Sequence, residues 1–161
     1  MMKKTVIITG AAVNTGFGIA EKFAKEGYSV FIGSRSLDQA EKAAKQLADL
    51  PQEKLDAIVE SVAKAFAREA AALAELAVRE TGFGNAEDKV VKNRFASQDV
   101  AAAIRGMKTV GVLNENPKEK LWEVGVPVGV ICGIVPSTNP TSTVCYKSII
   151  ALKSGNTIIF S

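Results

Sequence analysis

Histidine is absent from all 161 residues of the chain. Its absence removes the commonest general base, the Ser-His and Cys-His nucleophile pairs and the usual zinc constellations, so any chemistry falls to other groups. Cysteine is scarce: Cys132 lies in an apolar strand-like run and Cys145 in a helix-like run, without CxxC spacing. Both suit a reducing compartment and read as core residues. Aromatic residues make up only 6% and sit at apolar positions, with no basic-aromatic interleaving to stack bases. Twenty basic and seventeen acidic residues leave a charge of +3 spread along the chain without blocks, so nothing points to nucleic acid. No apolar run is long enough to span a bilayer, and Thr9, Gly10 and Asn14 interrupt the apolar stretch after Met-Met-Lys-Lys too early for a secretory leader. A cytoplasmic chain without membrane or nucleic-acid partners is expected. Its length suffices for one core, with room for a helical appendage, but not for two full enzyme domains.

What the sequence does contain begins with TVIITGAAVNTGFGIA, Thr5 to Ala20. Val6, Ile7 and Ile8 make a short apolar run, Thr9-Gly10 ends it, and Gly16 and Gly18 open a segment of helical period. A glycine turn between strand and helix lets a dinucleotide pyrophosphate approach backbone N–H groups at the helix N-terminus. Glu26-Gly27-Tyr28 then turns the chain into a second strand, Ser29 to Gly33, which closes on Ser34-Arg35. In such a β-α-β unit an arginine at this point accommodates a 2′-phosphate, so Arg35 favours NADP, with NAD possible. The alternative is that the glycines serve only close packing and Arg35 is an ordinary solvated charge.

The Thr9-Gly10 start, the run Gly16-Phe17-Gly18-Ile19-Ala20 and the strand end Gly33-Ser34-Arg35 give residues 3 to about 48 a resemblance to the amino-terminal part of short-chain dehydrogenase/reductases of the NADP type. One departure is five residues, Ala11 to Thr15, where that family usually has three.

Further along, Ser36 and Gln39 form a capping signal ahead of an amphipathic helix with Leu37, Ala40, Ala43, Ala44 and Leu47 on one face. Past Pro51, one long helix is predicted from Leu55 to near Gly82-Phe83-Gly84. Asn85 caps another, with Asp88 in its first turn and Val90, Val91, Phe95 and Ile104 as apolar positions. From Val110 to Val126 the pattern is a hairpin around Asn114 to Lys118, and Val128 to Val135 is apolar on both faces, as in a buried parallel strand. Pro136 to Pro140 breaks that strand, Thr141 to Leu152 is helical, and Thr157 to Phe160 is a last strand, which makes a second β-α-β unit.

The segments RETGFGNAEDKVVKN from Arg79, VPVGVICGIVPSTNPTST from Val126 and IALKSGNTIIFS from Ile150 give residues 50 to 161 a resemblance to the amino-terminal part of coenzyme-A-acylating aldehyde dehydrogenases. The resemblance implies that the strand ending at Val135-Pro136 begins a nucleotide-binding sheet. It places Thr138 and Asn139 in a loop near the nicotinamide and the reacting carbonyl, with Asn139 a candidate donor to a developing oxyanion. The Asn139-Pro140 pair equally reads as a plain helix-starting turn. Ser161 matches the strand end that approaches the adenosine ribose. Neither Cys132 nor Cys145 matches that family's nucleophile, and Tyr146-Lys147 lacks the Tyr-x-x-x-Lys spacing of the short-chain enzymes.

The expectation is an α/β fold, a Rossmann-like parallel sheet from two β-α-β units with an intervening helical segment and a β-hairpin, divided as residues 1–48 and 49–161 within one compact domain. It reads as a fusion of two oxidoreductase-related pieces that binds NADP or NAD through Thr9, Gly10, Gly16, Gly18, Ser34, Arg35, Thr138 and Ser161. Catalytically it reads as incomplete, and as either docking its two units or self-associating as a homo-oligomer through the last strand's apolar edge.

Overall fold

A computed structural model describes residues 5–9, 29–33 and 37–161. The turn residues Gly10, Gly16 and Gly18, the first helix of the unit, and Ser34 and Arg35 lie outside the described residues. Strands β1 (Thr5–Thr9) and β2 (Ser29–Gly33) pair in parallel from Thr5 opposite Ser29 to Thr9 opposite Gly33, so the outer strands of the first predicted unit are present. Helix α1 (Leu37–Ala48) buries Ala43, Ala44 and Leu47, three of the positions that its period assigns to one face.

The single long helix expected next is two helices. Helix α2 (Gln52–Arg68) ends at Glu69, whose backbone at φ −90°, ψ 7° leaves the helical region, and α3 (Ala70–Thr81) restarts there. No proline or glycine marks the break. Tertiary bonding accompanies it: buried Asn93 donates from Nδ2 to the Ala70 carbonyl at 2.9 Å and accepts from Thr141 Oγ1 at 2.9 Å, tying the start of α3 to the C-terminal part of the chain. Helix α3 stops at Gly82, which takes φ +70°, the left-handed conformation that glycine adopts without cost.

Helix α4 (Ala86–Arg94) begins as predicted, with Asn85 Oδ1 accepting from the Asp88 amide at 2.8 Å. It continues through a π-helical turn, Phe95–Asp99, into α5 (Val100–Ile104). The apolar positions expected here are partly misplaced, because Val91 and Phe95 are exposed while Lys89, Asn93 and Ser97 are buried. These three polar residues, four apart, form the inward stripe, and each has a partner: Lys89 the Thr138 carbonyl, Asn93 the two groups above, and Ser97 Oγ the Asn93 carbonyl at 2.7 Å.

The hairpin is present as β3 (Gly111–Asn116) and β4 (Leu121–Gly125), antiparallel with an irregularity between Val112 and Asn114. Gly125 is required there, since a Cβ would stand 2.4 Å from the Thr109 carbonyl oxygen. The foot of the hairpin is anchored by Gln52, whose Oε1 accepts from the amides of Thr109 at 2.7 Å and Val110 at 3.2 Å.

Strand β5 (Val130–Gly133), helix α6 (Pro140–Lys153) and strand β6 (Thr157–Phe160) form the second parallel unit, in register from Val130 opposite Thr157 to Gly133 opposite Phe160. The strand expected over Val128 to Val135 is shorter and less covered: Val128, Cys132 and Ile134 are exposed. Two of the exposed residues, Val128 and Ile134, lie outside the strand, and among the described residues β5 has a strand neighbour, β6, on one edge alone. The parallel pairs are separate ladders among the described residues, but β6 also lies against β1 and α1, so the edge expected to be bare is flanked. The core joins α2 to α6 through Leu55, Val62, Phe66, Cys145 and Ile149.

Candidate functional site

The C-terminal end of β5 and the N-terminus of α6 are joined by residues 134–139, the crevice side at which open α/β sheets receive ligands. Local chemistry fixes the turn. Strand β5 ends at Gly133, two residues before the Val135-Pro136 pair, and Pro140 starts the helix at a position where a missing N–H is tolerated. Lys147, two turns into α6, donates from Nζ to the Ile134 carbonyl at 2.7 Å and so fastens the strand exit to its own helix.

Helix α4 fastens the other side. Lys89 donates from Nζ to the Thr138 carbonyl at 2.5 Å, and Lys92 donates to Asn139 Oδ1 at 3.1 Å. Lys89 is only 5% exposed. Burial, and then the charge of Lys92 beside it, hold its ammonium below the usual lysine range. Next to this latch is an open groove of about 380 Å³ lined by Lys92, Phe95, Asn139, Ser142 and Tyr146 among others. It combines apolar walls with a cation, a hydroxyl and a carboxamide, the mixture expected where a small ligand is held by shape and oriented by a few polar atoms.

Of the residues singled out from sequence, Thr138 and Asn139 therefore come together in one fastened loop. Ser161 is exposed and donates its backbone amide to the Gly133 carbonyl at 3.2 Å, which places it at the same end of the β5–β6 pair. Thr9 ends β1 opposite Gly33, and Gly10, Gly16, Gly18, Ser34 and Arg35 lie outside the described residues. Lys89, Lys92 and Phe95 were missed as site residues. No local signal marks the buried side of α4, because polar residues four apart, as Lys89, Asn93 and Ser97 are, also describe a solvated face, and only distant partners turn the first two inward.

A second polar junction is structural. Lys153, at the end of α6 and buried, meets Asp56 Oδ1 at 2.6 Å, and Gln52 Nε2 donates to the same oxygen at 2.9 Å. Burial raises the Asp56 carboxyl, but the hydrogen bonds from Lys153 and Gln52 and the Lys153 charge outweigh it and hold the group below its ordinary value of 3.8.

The two thiols differ sharply. Cys145 is sealed in the core, where burial pushes its thiol far above the usual range and keeps it protonated and inert. Cys132, expected to be core, is exposed in a second groove of about 330 Å³ beside Lys147 and Ile150. A thiol reagent should thus label one cysteine per native chain, Cys132, and reach the second only on unfolding; two equivalents reacting at the same rate in native protein would contradict the burial of Cys145. Among the described residues no cluster of His, Cys, Asp or Glu is arranged to hold a metal ion, and no helix is long and apolar enough to cross a membrane.

Comparison with known proteins extends this picture. The profile of the aldehyde dehydrogenase family matches residues 34–161. The chain is 46% identical over 125 residues to the bifunctional aldehyde-alcohol dehydrogenase AdhE of Escherichia coli (strain K12), a match covering 78% of this chain and 14% of that protein. The crystal structure of an acetylating aldehyde dehydrogenase from Geobacillus thermoglucosidasius superposes with a TM-score of 0.76 at 50% identity, over 77% of this chain and 27% of that one. An engineered glycolyl-CoA reductase with bound NADP+ superposes with a TM-score of 0.54 at 28% identity, over 77% of this chain and 28% of that one. The chain thus spans about a seventh of the curated relative and little more than a quarter of the solved chains.

Proposed function

The chain belongs to the aldehyde dehydrogenase family, and from that premise we propose that it is the dinucleotide-binding portion of a coenzyme-A-acylating aldehyde dehydrogenase, catalytically incomplete on its own. The observation that carries the reading is the loop at the C-terminal end of β5, where α4 and α6 hold Thr138 and Asn139 at the rim of a groove. A bound NAD(P) would supply the acceptor or donor of a hydride. This chain's residues would position it: Ser161 toward the adenosine end, and Thr138 and Asn139 toward the reacting carbonyl, where an amide N–H stabilises developing negative charge.

Covalent acyl transfer needs a thiolate, and neither cysteine of this chain is arranged to supply one. Cys145 is locked as a thiol in the core, and Cys132 sits mid-strand, before the loop. The purified chain is therefore expected to bind dinucleotide without forming acyl-coenzyme A from aldehydes.

Cofactor preference rests on Arg35, together with the resemblance of residues 3–48 to NADP-type short-chain dehydrogenases. The proposal is a fusion of such a unit to the aldehyde-dehydrogenase-like part, which the family profile matches from residue 34. Calorimetric titration with NADPH, NADH and coenzyme A tests it. NADPH should bind about 10–100-fold more tightly than NADH, the range that one or two charge-assisted hydrogen bonds supply, and Arg35→Asp should reverse the order. Equal affinities before and after the substitution would overturn the preference, and no binding of either dinucleotide would overturn the function.

A further inference from the structure

We propose that Lys89 and Lys92 are positioning residues that together fix which atoms of the Thr138-Asn139 loop face the groove. Lys89 holds the backbone, and Lys92 sets the orientation of the Asn139 carboxamide. An ammonium has only donors to offer, so the end of the Asn139 amide that meets Lys92 at 3.1 Å is the oxygen. The Asn139 backbone carbonyl already accepts from the Thr143 amide at 3.2 Å in the first turn of α6, and the Thr138 carbonyl accepts from Lys89. The three oxygens are engaged. What the side chain of Asn139 has left is its NH2 group, whose contact with Thr138 Oγ1 is long at 3.5 Å.

With these three oxygens already accepting and the Asn139 NH2 available, the loop leans toward one kind of ligand atom. It suits a ligand atom rich in electrons, a carbonyl, carboxamide or oxyanion oxygen, and disfavours a hydrogen-bond donor in the same place. Two lysines three residues apart on one helix repel each other, and both point at consecutive residues of one loop. A purely structural tie would need only one of them. Burial of Lys89 makes its half of the latch rigid, while Lys92 at the exposed rim acts on the amide that lines the groove. The use of that amide rests on the function proposed above, but its orientation by the lysines does not.

The test is the side-chain amide resonance of Asn139 in 15N-labelled whole chain, assigned by its loss in Asn139→Ser. Lys92→Met should shift the Asn139 NH2 pair toward the position of a freely solvated asparagine and speed its exchange with water. Lys92→Arg should restore most of the shift, with thermal unfolding unchanged in both. Lys89→Met, which keeps the buried stem, should move the backbone amide of Asn139 instead. An Asn139 NH2 pair unmoved in Lys92→Met overturns the inference even if Lys89→Met fails to fold. Should wild-type chain bind dinucleotide while that pair stays unmoved, the positioning role alone fails. A pair that moves in a wild-type background that binds no dinucleotide leaves the latch standing and removes the function.

Discussion

Replacing Asn156 with alanine is expected to destabilise the chain by about 2–4 kcal/mol, the cost of two orphaned, partly buried amide donors. Asn156 lies between α6 and β6, and its Oδ1 accepts from the amides of Val128 at 2.7 Å and Gly129 at 2.9 Å. Its Nδ2 donates to Ser154 Oγ at 2.9 Å and to the Ser154 carbonyl at 3.2 Å. One side chain therefore binds the approach to β5 to the turn that precedes β6. The Thr157 amide adds a bond to the Gly129 carbonyl at 2.9 Å, and the β5–β6 register starts directly afterwards, with Val130 opposite Thr157. Alanine removes all four side-chain bonds at the point where the register is set. Asn156→Asp keeps the acceptor and loses only the Nδ2 donations, so it should cost clearly less. Urea unfolding gives the comparison, and hydrogen exchange at Val128 and Gly129 should accelerate in the alanine variant first. If both variants stay within about 0.5 kcal/mol of wild type, as ordinary surface changes do, the asparagine is not what sets the register.

The parts legible in the sequence are those decided by a local rule. The cap at Asn85, the stop at Gly82, the hairpin, and the bounds of α6 and β6 all follow from residues whose backbone preference is strong on its own, whereas β5 ends at Gly133, ahead of the break expected at Pro136. The loop with Thr138 and Asn139 was legible for the same reason, being what lies between two prolines after an apolar strand. Where a distant partner decides the outcome, the sequence is silent. The break at Glu69 has no local breaker. The buried stripe Lys89, Asn93 and Ser97 contradicts hydrophobic periodicity, because periodicity ranks side chains by apolarity and cannot know that Thr138, Ala70 and Thr141 wait as partners. That criterion points Val91 and Phe95 inward, and both lie outward. Cys132 is exposed for a related reason: an apolar strand is buried only where something covers it.

Neighbouring residues with the same side chain can differ completely in burial. Ile149 and Ile150 are adjacent in α6, so the helix turns them to faces about 100° apart. Ile149 is 0% exposed and belongs to the core with Leu55, Phe66 and Cys145, whereas Ile150 is 44% exposed and lines the groove beside Cys132. Ile149→Ala removes the same atoms as Ile150→Ala but leaves a cavity between α2 and α6, which the packed surroundings cannot close. The expected loss is about 2–5 kcal/mol for Ile149 and under about 1 kcal/mol for Ile150. Since α6 carries the loop residues at its N-terminus and Lys147 in its second turn, the first variant should also weaken dinucleotide binding in proportion to the unfolded fraction and no further. Chemical denaturation at matched protein concentration measures both losses, and equal values for the two would mean that α6 does not present Ile149 to the core.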